Sequence, residues 1–134
     1  MDQKQILDRL NQLPGLIGFY YRNFTTGESF SLREEDLFES ASVIKLPMFA
    51  AIQKWHAEGS VDLKEKLTFT EADKFPSCGA LQFFPTPMEV DIETLCKLMI
   101  TLSDNTATNL LIRRFGMEAF NAEFRRMGLK KSRI

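Results

Sequence analysis

Ser42 and Lys45 stand three residues apart in Ser42-Val43-Ile44-Lys45, a spacing that puts both side chains on one face of a helix. A serine hydroxyl is a weak nucleophile at neutral pH and needs a neighbouring base to take its proton. A lysine desolvated by apolar neighbours can lose its own proton and fill that role, and Val43, Ile44, Leu46, Met48 and Phe49 flank Lys45 in sequence. The spacing therefore predicts a Lys45 amine within reach of the Ser42 hydroxyl. The position of Ser42 at a predicted helix start also offers main-chain N–H groups to negative charge developing beside it.

A second cluster, Ser103-Asp104-Asn105, follows 61 residues later, between two predicted helices. All three residue types are favoured N-caps, so a plain helix junction also accounts for them. An S-x-x-K arises by chance in about half of chains this long, whereas a given tripeptide such as S-D-N does so in roughly a few per cent. It is the conjunction of the two that points to chemistry. His56, the single histidine, fails as a base for Ser42 because it lies 14 residues further along the same predicted helix, roughly 21 Å away at about 1.5 Å per residue. One histidine with two separated cysteines, Cys78 and Cys96, makes no metal-ligand cluster, and neither metal nor other cofactor is expected. Spacing leaves the cysteines free to pair or to stay reduced, and two buried thiols are the simplest expectation.

Several elements must position these residues. Ile6, Leu7, Leu10 and Leu13 form an apolar stripe on a helix over residues 2–13, stopped by Pro14-Gly15. Two strand-like runs, Leu16 to Phe24 and Glu28 to Leu32, flank Thr26-Gly27 and predict a β-hairpin. Val43 to Glu58 is apolar nearly all round and predicts a buried helix closed by Gly59, with Pro47 distorting it just beyond Lys45. Residues 60–90, rich in Pro and Gly, predict loops around short ordered pieces. Asp91 is a candidate N-cap for a helix breaking near Ser103, and two more run from Thr106 to Phe115 and from Met117 to Met127, closed by Gly116 and Gly128. The expected organisation is α+β: a helix and hairpin over residues 1–40, then a mainly helical domain over 41–134.

Composition narrows the functions. The 17 basic and 18 acidic side chains nearly cancel, so no general field draws in nucleic acid or an anionic membrane. Arg125, Arg126, Lys130, Lys131 and Arg133 are read as a solvated face and tail, and Arg33-Glu34-Glu35-Asp36 as a solvated turn. Apolar stretches such as Leu46 to Ile52 fall far short of the roughly 20 residues that span a bilayer. The polar opening residues do not resemble a signal peptide, so the chain as read is expected in the cytoplasm, or outside it if a signal was removed. Phe83 and Phe84 are assigned to core packing rather than to a cleft wall.

S-x-x-K with S-D-N is the signature pair of the class A serine β-lactamases and related penicillin-interacting enzymes. The flanking runs Glu39-Ser40-Ala41-Ser42-Val43-Ile44-Lys45-Leu46-Pro47 and Leu98-Met99-Ile100-Thr101-Leu102-Ser103-Asp104-Asn105-Thr106-Ala107-Thr108-Asn109-Leu110-Leu111 resemble that family as well. The resemblance implies a β-lactam substrate attacked by Ser42, with Lys45 helping to take the proton directly or through water, and Ser103 passing a proton to the departing ring nitrogen. It implies that Asn105 offers its amide to substrate or to Lys45, that Asp104 fixes the loop through main-chain bonds, and that the Ser42 N–H forms half of an oxyanion hole.

The resemblance covers only the family's N-terminal part. The family's deacylating Glu and its K-T-G strand would fall beyond Ile134, and no Glu in this sequence has an Asn four residues on. The expected β-lactamase/transpeptidase-like fold therefore lacks its C-terminal strands. An unpaired hairpin is marginal in water, so self-association or pairing with the C-terminal half is expected, and little turnover by these residues alone. A disulfide from Cys96, found in some members, would need a partner where Phe49 stands. Two further readings remain open: a D-Ala-D-Ala carboxypeptidase or transpeptidase using the same acyl-serine chemistry, and a non-catalytic binding module.

Overall fold

A computed structural model describes residues 2–134, which divide into two compact units, one running to Glu39 and the other spanning Ser40–Ile134.

The first unit opens with α1 (Gln3–Asn11). Asp2 caps it reciprocally with Gln5: the Gln5 N–H donates to Asp2 Oδ1 at 2.8 Å and the Asp2 N–H donates to Gln5 Oε1 at 3.1 Å. Strands β1 (Phe19–Arg22) and β2 (Ser29–Leu32) pair antiparallel, with Phe19 opposite Leu32 and Tyr21 opposite Phe30. Asn23 makes the turn between them by accepting the Thr25 and Thr26 N–H groups on Oδ1, and Gly27 takes the positive φ that closes it. Phe30 stacks against Phe19 and Tyr21 at centroid distances of 5.6 and 5.1 Å. No side chain in this unit is buried among the described residues.

The second unit holds the core. After a 3₁₀ turn at Ala41–Ile44 come α2 (Lys45–Ala57), the antiparallel pair β3 (Lys66–Phe69) and β4 (Met88–Asp91), then α3 (Ile92–Thr101), α4 (Asn105–Phe115) and α5 (Met117–Arg126). Asp91 and Asp104 are true N-caps, accepting the Thr94 and Ala107 N–H groups. Met48, Ala51 and Ile52 of α2 meet Leu95, Cys96 and Met99 of α3, Leu110 and Leu111 of α4, and Phe120 and Phe124 of α5 in one buried cluster. Trp55 lies 5.4 and 5.2 Å from the Phe115 and Phe120 rings. Its indole N–H donates to the buried carboxylate of Glu123, which is also paired with Lys54 at 2.8 Å and Arg126 at 3.1 Å. None of the described helices is long and apolar enough to cross a membrane.

The structure departs from the sequence reading at several places. The short ordered pieces expected over residues 60–90 include β3 and most of β4, but their pairing into a sheet is not legible in the sequence, because four-residue strands carry too little periodicity to show it. Phe83 and Phe84 are 81% and 45% exposed rather than packed in the core. The irregular backbone lies before Lys45 and not just beyond it: the 3₁₀ turn precedes Lys45, and Pro47 sits in the first turn of α2, where its missing N–H has no ladder partner to lose.

Candidate active site

Ser42, Lys45, Ser103 and Asn105 converge within the second unit. Lys45 begins α2 and is buried, at 5% exposure, although Val43 and Leu46 beside it are 70% and 62% exposed. Of the apolar run around it, Val43 and Leu46 thus face solvent, while Met48 is buried and Ile44 and Phe49 pack against the core. The surroundings of Nζ are polar: it donates to the Ser103 carbonyl at 2.6 Å, to Ser103 Oγ at 2.9 Å and to Asn105 Oδ1 at 2.6 Å. Three acceptors match the three donors of an ammonium.

The contact between Lys45 and Ser42 differs from the expected direct one. Ser103 Oγ donates to Ser42 Oγ at 2.8 Å while accepting from Lys45 Nζ. A row Ser42 Oγ, Ser103 Oγ, Lys45 Nζ results, along which a proton can pass by rotation of two hydroxyls. Burial lowers the Lys45 pKa below its ordinary value, and the Cys78 and Asp104 charges oppose that shift. Desolvation is the larger effect, so Lys45 is displaced toward the neutral amine that a base must be.

Backbone shape sets this row. Ser42 lies inside the 3₁₀ turn and not at the start of the α-helix. Ala41 (φ 43°) and Ser103 (φ 52°) both take left-handed backbone, which costs a non-glycine residue about 1–2 kcal/mol. Two of the three such residues described thus flank or supply the reacting hydroxyls. Nothing in the residue types of Ala41 or Ser103 signals this.

Asp104 is fully buried, and its carboxylate takes main-chain N–H groups, not the side chains of the other four. Oδ2 accepts the Ala80 and Leu81 N–H groups at 2.7 and 2.8 Å, and Oδ1 accepts the Ala107 N–H at 2.9 Å. It thereby ties the loop before Leu81 to the start of α4. Gly79 makes the approach possible: a Cβ there would stand 2.2 Å from Asp104 Cγ, on backbone at φ 116°. The Asn105 N–H donates to the Cys78 carbonyl at 3.0 Å, and Asn105 Nδ2 to Ser77 Oγ at 2.9 Å. Ser77 and Gly79 were legible only as loop residues, and their role beside Asn105 and Asp104 is visible only in three dimensions.

The remaining candidates lie elsewhere. His56 is exposed near the end of α2, its Nδ1 2.9 Å from the Val61 carbonyl. The two cysteines are unpaired, but only Cys96 is buried; Cys78 is exposed, contrary to the expectation of two buried thiols, because it lies on the loop over Asn105.

A family model described as the beta-lactamase enzyme family matches residues 3–134. A beta-lactamase of Rhodobacter capsulatus is 34% identical over 125 residues, 92% of this chain and 42% of that protein. Among solved structures, PBP-A superposes with a TM-score of 0.90 at 36% identity, covering 98% of this chain and 51% of PBP-A. An ancestral (GNCA) class A beta-lactamase superposes with a TM-score of 0.87 at 26% identity, covering 98% of this chain and 50% of that one. The fold is that of the β-lactamases and PBP-A, and the chain spans about half the length of the relatives it matches.

Proposed function

From the premise that this chain belongs to the β-lactamase enzyme family, we propose that it carries the acylating part of a class A-like site, opening β-lactam rings through an acyl-enzyme on Ser42. The observation that supports this reading most is the row from Ser42 Oγ through Ser103 Oγ to Lys45 Nζ. In the proposed step Ser42 Oγ bonds to the lactam carbonyl carbon while its proton moves along the row to the neutral Lys45 amine. The carbon–nitrogen bond then breaks, and the ring nitrogen takes a proton from Ser103 Oγ, which Lys45 replenishes. Asn105 holds Lys45 through Oδ1, the Ser42 N–H supplies one donor to the oxyanion, and Asp104 holds the loop. Release of the acyl group is assigned to groups outside these 134 residues, so the chain alone is proposed to turn over little substrate. The expected partner is the small-molecule lactam, with strands from the C-terminal half, or another copy, covering the hairpin.

Incubating the chain with benzylpenicillin and weighing it intact tests the proposal. The expected result is one added penicillin, mapped to the Ser42 peptide and lost in Ser42→Ala. No adduct on the folded chain would overturn acylation and favour a non-catalytic binding module. A second reading, a penicillin-binding acyl-serine enzyme acting on D-Ala-D-Ala ends, is favoured by the 36% identity to PBP-A, a mutant of which is described as an acyl-enzyme complex with penicillin G. Prompt release of the penicilloyl group by the full-length protein supports the hydrolase; a long-lived adduct supports the second reading.

A further inference from the structure

We propose that Ser77 is a positioning residue for Asn105, and through it for Lys45; the inference rests on the reading of Lys45 as the base.

An asparagine amide can be rotated by half a turn with little change in shape, so its neighbours decide which end is oxygen. Lys45 Nζ offers only donors, which requires Oδ1 on its side, at 2.6 Å. The Nδ2 end then needs an acceptor, and Ser77 Oγ provides it at 2.9 Å. If the amide turned over, it would set Nδ2 against the ammonium and Oδ1 against the Ser77 hydroxyl. The hydroxyl tolerates either arrangement, but the ammonium does not. Ser77 and Lys45 together thus give Asn105 two fixed ends.

Ser77 is itself held. Gln82 Nε2 donates to the Ser77 carbonyl and to the Gly79 carbonyl at 3.1 Å, bracing the loop across its own turn. The Asn105 N–H to Cys78 O bond and the Asp104 bonds to Ala80 and Leu81 fasten the same loop from the other side. The titratable groups bearing on Lys45 are the Asp104 carboxylate and the Cys78 thiol, both joined to this loop. The hydroxyls facing Nζ and its relay are Ser103 and Ser42. Removing the Ser77 hydroxyl leaves all of these in place and takes away only the far anchor of the amide.

The test compares wild type, Ser77→Ala, Ser77→Thr and Gln82→Ala in the full chain, with circular dichroism confirming that each is folded. Lys45 is titrated through its ¹³Cε resonance, a readout that needs no activity. With the Oδ1 acceptor less well held, the ammonium is less stabilised, so Ser77→Ala moves the titration to lower pH. Ser77→Thr restores it, and Gln82→Ala moves it the same way by a smaller amount. Labelling by a fluorescent penicillin, measured above both titration midpoints, falls roughly three- to tenfold in Ser77→Ala, the loss of one ordinary hydrogen bond. An unmoved Lys45 titration in Ser77→Ala overturns the inference. A moved titration in a chain that no penicillin labels leaves Ser77 as the anchor and overturns the acylation reading instead.

Discussion

The two units of this chain use the same residue types to different effect. The unit up to Glu39 contains Phe19, Tyr20, Tyr21, Phe24, Phe30 and Phe38, yet buries none of them; Phe24 is 91% exposed and Tyr20 60%. The unit from Ser40 onward closes sixteen hydrophobic side chains around four helices and holds every candidate catalytic group. The difference is one of layers: a hairpin with one helix has a single apolar face, whereas helices packed on helices cover each other. The site sits where the scaffold is over-determined. Left-handed backbone at a non-glycine residue occurs in both units, at exposed Arg33 in the first and at Ala41 and Ser103 in the second.

The sharpest way to break the contrast is to cut matched aromatics. Phe120→Ala removes a fully buried ring and is expected to destabilise the second unit by about 3–5 kcal/mol. Tyr20→Ala, on the exposed strand, is expected to change stability by less than about 1 kcal/mol. Urea unfolding followed by circular dichroism reads both, and a comparable loss at Tyr20 would show that the hairpin shares the core's stability. Asp104→Ala comes next, at about 2–4 kcal/mol, because three main-chain N–H groups lose a charged acceptor. Amide hydrogen exchange should then speed up at Ala80, Leu81 and Ala107 while β1 and β2 keep their rates.

A smaller effect follows from pH. Hydrogen bonds from Lys64 and then Lys97 hold the Glu93 carboxyl down at about 2, against an ordinary value of 4.5. A depressed carboxylate stabilises the fold fully above its unfolded pKa, and that stabilisation is lost as pH falls through the folded one. The contribution of Glu93 should thus fade between about pH 4.5 and 2, and Glu93→Gln should flatten the second unit's acid response in that window. Carboxyl NMR titration measures the midpoint directly. The smallest perturbation is chemical: a thiol reagent should modify exposed Cys78 and spare Cys96, whose thiol burial pushes up to about 12. Mass spectrometry should find one label per native chain and two after denaturation.

Much of this was legible in the order of residues. The helices announced themselves through apolar stripes and caps, and Asp91 and Asp104 cap as their types predict. The hairpin followed from Thr26-Gly27 between aromatic runs. Asp104 carries the main-chain bonds expected of it, and Ser42, Lys45, Ser103 and Asn105 meet. What escaped was what depends on contact between distant segments. The relay through Ser103, the anchor at Ser77 and the close approach of Gly79 to Asp104 have no local periodicity to betray them. Phe83 misled because an aromatic type carries no record of which way its loop turns.

The Lys45–Asn105 bond joins residues 60 apart and the Ser42–Ser103 bond residues 61 apart, whereas the β1–β2 turn closes within a few. Bringing distant segments together costs loop entropy that must be met before the contact rewards it. The hairpin turn can therefore close early, whereas the reacting hydroxyls first meet after α3 has been made and docked. Reactivity therefore waits on most of these helices, and the Trp55–Glu123 bond, which joins residues 68 apart, waits longer still.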